Sequence, residues 1–235
     1  MTRRSPKPIL PPFPTLDLEH EFWHGQGCTR LAGIDEAGRG AWAGPVVAAA
    51  VMLPPNRPDI AVLLQGVRDS KVMTTRQRDR MYDQIEAVAL GVGVGFATVD
   101  EVDHQGVITA TRLAMWRAVQ QLDPAPDALL IDAVDLHQVS NLPQRSLNFA
   151  DSLSLSVAAA SVIAKVTRDR ILVELDTDYP QYGFARHKGY GTAAHRYAIE
   201  QHGVLPVHRK SYAPVAARFR RQTQPQLLDS ASPTE

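Results

Sequence analysis

The apolar pattern of this chain predicts an α/β fold, with a central mixed sheet flanked by helices and a helical C-terminal part. Two observations carry that expectation. Two apolar runs, 31–34 and 46–53, read as strands joined by a glycine-rich turn at 38–44. Further along, segments with helical spacing alternate with short apolar runs, the order of a layered α/β domain.

Each later element has its own signal. Segment 77–90 keeps Met81, Ile85 and Val88 at helical spacing. In 91–99 (GVGVGFATV) glycine alternates with apolar residues, which predicts a strand closely approached on one face. Segment 107–122 predicts an amphipathic helix with Leu113, Trp116 and Val119 in its buried stripe. A short apolar strand, 128–131, ends in Asp132. A long helix follows over 153–175, with small residues at Ala158, Ala159 and Ala160. Another helix covers 192–202, with Gly203 as its stop signal. Residues 1–27 are expected to form a Pro-rich flexible tail, 28–221 a single domain, and 222–235 a disordered C-terminal tail.

Composition excludes several classes. Lys plus Arg number 25 and Asp plus Glu 25, so no overall basic charge marks a nucleic-acid protein. The distribution is uneven, because 165–221 is net +6 and the remainder net −6. A basic surface beside an acidic pocket would look like this. Met1-Thr2-Arg3-Arg4 leads into prolines rather than an apolar stretch, so no signal peptide is expected. No apolar run approaches the roughly 20 residues that span a bilayer. Cys28 is the single cysteine, which excludes an internal disulfide and a multi-cysteine zinc site. A cytoplasmic monomer with no membrane partner is the expectation.

The chemistry concentrates in acids placed at element ends. Asp35 and Glu36 follow the first apolar run, Asp132 ends the 128–131 strand, and Asp151 opens the long helix. Taken singly, Asp151 reads as a helix cap and Asp132 as a turn residue. Taken together, neighbouring strands would bring Asp35 and Asp132 to one edge of the sheet. No His or Cys cluster has zinc spacing, so an all-oxygen site would suit Mg²⁺ or Mn²⁺. Adjacent residues of an ideal strand point to opposite faces, so Glu36 shares such a site only if the strand ends or bulges there. The turn Gly38-Arg39-Gly40-Ala41-Trp42-Ala43 also fits a dinucleotide fingerprint. That motif needs a helix at once, whereas Pro45-Val46-Val47 continues as a strand.

Several segments together match a known pattern. Gly33 to Gly40 with Gly44 to Val51, Asp69-Ser70-Lys71, Leu130-Ile131-Asp132, Ala158 to Asp169, Tyr182-Gly183-Phe184, His187 to Tyr190 and His208 to Val215 follow in order. This closely resembles the ribonuclease HII family over 31–215. The resemblance implies an RNase H-like fold and endonucleolytic cleavage of RNA in RNA–DNA hybrids. It extends to single ribonucleotides embedded in duplex DNA, cut on the 5′ side to leave a 3′-hydroxyl and a 5′-phosphate. It implies that Asp35, Glu36, Asp132 and Asp151 bind Mn²⁺ or Mg²⁺ and position the attacking water. Gly38, Arg39 and Gly40 would contact the ribonucleotide and its 2′-OH, and Tyr190 would pack on the adjoining sugar. Lys71, Lys188 and Arg209 suit phosphate contacts by chemistry. The histidines at 187, 195, 202 and 208 lack metal spacing and receive no catalytic role.

Two departures stand out. The family usually has Gly-Asn after the third acid, where this chain has Ala133-Val134-Asp135. It usually has Lys-Gly before the fourth, where this chain has Phe149-Ala150. A DNA-specific nuclease and a binding module without catalysis are the rival readings. The first would need no 2′-OH, and the second would not need four acids.

Overall fold

The computed structural model describes residues 10–223. The described residues divide into two compact units. The first comprises 10–37, 47–96 and 111–166; the second comprises 38–46, 97–110 and 167–223. Of the tails expected at 1–27 and 222–235, residues 1–9 and 224–235 lie outside the described residues.

The first unit is built on a five-stranded sheet of order β3-β2-β1-β4-β5. Its strands are β1 Leu31–Ala37, β2 Val46–Met52, β3 Gly91–Ala97, β4 Ala128–Asp132 and β5 Gln144–Leu147. β1 pairs antiparallel with β2 and parallel with β4, and β4 pairs parallel with β5, so the sheet is mixed as expected. β2 is buried along its whole length, which is why it reads as an unbroken apolar run. β5 gave no such signal: its residues (QRSL) are exposed or half-buried at the sheet edge.

Helices α1 Thr75–Val88, α2 Val99–Gln105, α3 Val107–Gln120, α4 Leu155–Asp178, α5 Ala193–His202 and α6 Ala213–Thr223 complete the main elements. Thr74 with Gln77, and Thr98 with Glu101, form capping boxes that start α1 and α2 by satisfying their first amide donors. From Ala150 onward the chain forms no further strand among the described residues, which is the expected helical C-terminal part.

The glycines of the first unit mark close packing. A β-carbon on Gly33 would stand 2.4 Å from the backbone carbon of Ser156, so α4 lies directly against β1 there. On Gly93 and Gly95 it would stand 2.1 Å from the carbonyl oxygens of Ala118 and Ala114, so α3 packs on the bare face of β3. The alternating GVGVG run therefore serves the helix approach that its composition predicts.

Residues 17–25 depart from the flexible tail expected for 1–27. Asp17–His20 is helical and Glu21–Gly25 continues as a π-helical turn, with Phe22 and Trp23 in the core of the first unit. Two large aromatic side chains bury enough apolar surface to order a segment that the prolines upstream would suggest is loose. No helix among the described residues is long and apolar enough to cross a membrane.

Candidate active site

In the first unit the parallel pairing of β1 with β4 brings the strand-end acids to one edge. Ile34 lies opposite Ile131, so Asp35 and Asp132 follow side by side at the next position. Asp132 is held by the chain before Asp151, because the Ala150 amide donates to Asp132 Oδ1 at 2.8 Å. Asp35 is 1% exposed and Asp151 is 4% exposed, while Glu36 and Asp132 are half-buried.

β1 runs without a bulge past Glu36, since Asp35 pairs with Ala49, Glu36 with Ala48 and Ala37 with Val47. The break that would turn Glu36 to the face of Asp35 is absent. The Glu36 amide donates to Asp35 Oδ1 at 2.7 Å. Asp35 Oδ2 is buried and has no hydrogen-bond donor among the described residues.

A buried carboxylate with an oxygen left unpaired costs several kcal/mol unless a cation or proton compensates it. The electrostatics show this strain. Burial, then the charges of Glu36 and Asp132, hold the Asp35 carboxyl well above the usual range. Burial, Asp69 and Asp132 push Asp151 up to about 6. Lys71 answers part of the charge, with Nζ 3.5 Å from Asp151 Oδ2 and 3.6 Å from Asp69 Oδ1. Partial burial works against its charge, but Asp35, Asp69, Asp151 and Asp132 together hold the ammonium above its ordinary value. Asp69 had been read only as part of a motif; its place beside Lys71 and Asp151 makes it a fifth acid of the cluster. Asp135 is engaged elsewhere, since its carboxylate and carbonyl both accept from Arg112.

The donor set suits a hard divalent cation: oxygen donors only, one of them buried and unpaired, in a cluster of repelling like charges. It is not a formed metal centre, because among the described residues no three His, Cys, Asp or Glu side chains converge as one.

The two departures from the family pattern have a backbone counterpart. Ala133 has φ +57° and Phe149 φ +63°, both in the left-handed region that favours glycine. The turns on either side of the Asp132–Ala150 contact thus keep a glycine-like shape with residues that strain in it. Phe149 is also 48% exposed beside Asp151.

The second unit holds the remaining candidates. Its 38–45 turn is clamped by two fully buried arginines. Arg168 donates to the carbonyls of Pro45, Lys188 and Ala43 at 3.0, 2.9 and 2.9 Å. Arg209 donates to Gly44 O at 3.1 and 2.9 Å, to Arg39 O at 2.9 Å and to the Tyr212 hydroxyl at 3.1 Å. Arg209 was expected to meet a phosphate. With no surface exposed and its donors spent on carbonyls and a hydroxyl, it builds the turn instead. Arg168 lies within the Ala158 to Asp169 segment of the family pattern, which by itself does not show that the side chain is buried.

Gly40 is exposed, with open space around it, and Arg39 is half-buried. Tyr190 is half-buried, with the Arg168 guanidinium carbon 5.4 Å from its ring centroid. Lys188 has φ +51° and its ammonium donates to the carbonyl of Ala185, turned back on its own turn. Lys71 and Lys188 thus both have protein partners, and the Lys71 side chain keeps 68% of its surface open.

A mixed sheet with acids at the adjoining ends of two central parallel strands defines a nuclease of the RNase H-like class. The crystal structure of the ribonuclease H2 from Pyrococcus horikoshii OT3 is similar at a TM-score of 0.69 and 25% identity, over 83% of this chain and all of that one. The model of the family Ribonuclease HII matches residues 32–215. A Ribonuclease HII of Chloroflexus aurantiacus is 54% identical over 205 residues, 86% of this chain and 94% of the relative. One of Geobacillus kaustophilus is 52% identical over 192 residues, 82% and 71% of the two chains. The chain belongs to the ribonuclease HII family, metal-dependent nucleases that act on RNA in RNA–DNA hybrids.

Proposed function

We propose that this chain is an endoribonuclease that hydrolyses the phosphodiester of RNA in RNA–DNA hybrids, including the bond on the 5′ side of a single ribonucleotide embedded in duplex DNA. It leaves a 3′-hydroxyl and a 5′-phosphate. The observation that carries the reading is the buried carboxylate of Asp35, with one oxygen unpaired, in charge repulsion with Glu36, Asp132 and Asp151. Such a cluster is costly in itself and gains its purpose from a divalent cation, Mn²⁺ or Mg²⁺.

Asp35, Asp132 and Asp151 would hold the cation, while Glu36, on the unbroken β1, would act on the site through its charge on Asp35. A bound divalent ion stabilises charge on the attacking and leaving oxygens of phosphoryl transfer. The protein supplies placement. The Ala150 amide fixes the Asp132 carboxylate, and Lys71 offsets negative charge until a cation enters. Arg168 and Arg209 hold the 38–45 turn, on which Gly38, Arg39 and Gly40 meet the ribonucleotide and its 2′-OH. Tyr190 packs on the adjoining sugar, and Lys71 and Lys188 are phosphate contacts.

The test is a duplex carrying one ribonucleotide. Cleavage should need Mn²⁺ or Mg²⁺, stop in EDTA, and fall at least about 100-fold in Asp132→Asn, the scale of removing a group that positions the reacting atoms. Cleavage that persists in EDTA, or undiminished in Asp132→Asn, refutes the mechanism. Equal cleavage of an all-DNA duplex refutes the 2′-OH requirement and favours a DNA nuclease.

A further inference from the structure

Three histidines of the second unit, to which no role had been assigned, lie in contact. The His187 and His195 rings stack at 4.4 Å with planes 14° apart. His195 Nε2 and His208 Nε2 are 3.0 Å apart. His195 and His208 are fully buried, and His187 nearly so.

Their partners dictate where each proton sits. The Leu205 amide, which can only donate, points at His208 Nδ1 at 2.9 Å. Neutral His208 therefore carries its proton on Nε2 and donates it to His195 Nε2. His195 must then carry its own proton on Nδ1, where the Tyr190 carbonyl accepts it at 3.0 Å. His187 is set in the same way: Nδ1 accepts from the Gly189 amide at 3.2 Å and Nε2 donates to the Tyr182 carbonyl at 2.8 Å. Every ring nitrogen has a partner of the opposite kind. A further proton on His195 would set two N–H groups against each other. Burial, then the neighbouring His187, holds the His195 ring down to about 4, and burial, then His195, does the same to His208.

The relay ends on a functional candidate. We propose that His208 and His195 are positioning residues, forming a one-directional relay of neutral rings from the Leu205 amide to the Tyr190 carbonyl that sets the backbone presenting Tyr190 to substrate. This rests on the reading of Tyr190 as the residue that packs on the sugar beside the scissile bond. The same loop is pinned a second time, because the Gly189 carbonyl accepts from the Trp42 amide at 2.8 Å. Hydrogen bonds aligned head to tail polarise one another, and in a buried site the loss of one leaves its neighbours unsatisfied.

The test compares cleavage of a duplex with one embedded ribonucleotide against cleavage of a continuous hybrid. A loss of folded protein alone lowers both activities together, whereas displacement of Tyr190 changes their ratio. His195→Leu should shift the ratio about tenfold against the single ribonucleotide, chiefly in kcat, the scale of one buried hydrogen bond lost. His195→Asn, whose amide can still donate to the Tyr190 carbonyl, should restore most of it. Tyr190→Ala is the control. If it changes the ratio and His195→Leu does not, the relay is overturned; if Tyr190→Ala leaves the ratio unchanged, the reading of Tyr190 falls instead. Should His195→Leu fail to fold, ¹⁵N NMR of the parent protein's histidine rings decides. Protons on His195 Nδ1 and His208 Nε2 at neutral pH support the relay. A cationic ring, or the opposite tautomer on either, overturns it.

Discussion

Replacing Gly38 by alanine should unfold the second unit more than any neighbouring glycine change. Gly38 has φ +94°, and a β-carbon there would stand 2.0 Å from Arg168 Nε and 2.5 Å from its Cδ. A free arginine would swing aside. This one is fully buried and anchored by three carbonyls, so moving it strands a charge away from water. Separating a buried charge from its partners costs roughly 3–5 kcal/mol, and a left-handed alanine adds about 1–2 kcal/mol. A total near 5 kcal/mol is a large share of the roughly 5–15 kcal/mol that holds a domain folded. It should lower the melting temperature by on the order of 10 °C or more. Gly40→Ala is the matched control, because no atom lies within 4 Å of its β-carbon position and its φ needs no glycine. Its effect on stability should stay within about 0.5 kcal/mol. Urea unfolding followed by circular dichroism measures both. A double-mutant cycle identifies the cause: if the clash is with Arg168, Gly38→Ala should cost far less in an Arg168→Ala background than in the parent. A Gly38→Ala protein within 1 kcal/mol of the parent, about a fivefold change in its folding equilibrium, refutes the clamp, as do fully additive costs.

Two predictions concern the acids. Asp151 has a folded-state value raised from the ordinary 3.8 to about 6, so its protonated form favours the fold below the lower value and that stability is lost as pH rises through about 6. Without metal, the urea midpoint should therefore fall between pH 5 and pH 7.5, by roughly 1.4 kcal/mol in stability, and Asp151→Asn should flatten the dependence. Stability that rises over this range at an unchanged slope in Asp151→Asn would contradict the assignment. Ala133→Gly should stabilise by about 0.5–1 kcal/mol, because relief of a left-handed alanine outweighs the extra freedom of glycine in the unfolded chain. A lowered urea midpoint would show that the turn carries no strain at φ +57°.

Much of this molecule was legible in local pattern. Strands β1, β2, β3 and β4 and helices α1, α3, α4 and α5 overlap the segments predicted for them, because a helix with one buried face leaves its period in the sequence and a strand buried on both faces leaves an unbroken apolar run. The close approach at Gly93 and Gly95 was legible for the same reason. Strand β5 was not, since a short edge strand with exposed residues carries no period. Residues 17–25 were missed because prolines upstream outweighed two aromatics whose burial depends on distant partners. At the site, the pairing of β1 with β4 puts Asp35 and Asp132 at one edge, as the strand ends suggested, while the unbroken register at Glu36 leaves out the bulge that reading required.

The sequence alone determined the fold class, the family, and the acids to consider, because periodicity and an ordered set of motifs are local properties of the chain. Tertiary structure alone decided what the basic and neutral side chains do. Arg209 carries the same charge as any surface arginine, and only the carbonyls of Gly44 and Arg39, 165 and 170 residues away, draw it inside. His195 and His208 have no motif spacing; their protons are placed by amides and carbonyls from other turns. A side chain's type is written in the sequence, but its burial and its partners are settled by groups that meet only when the chain has folded.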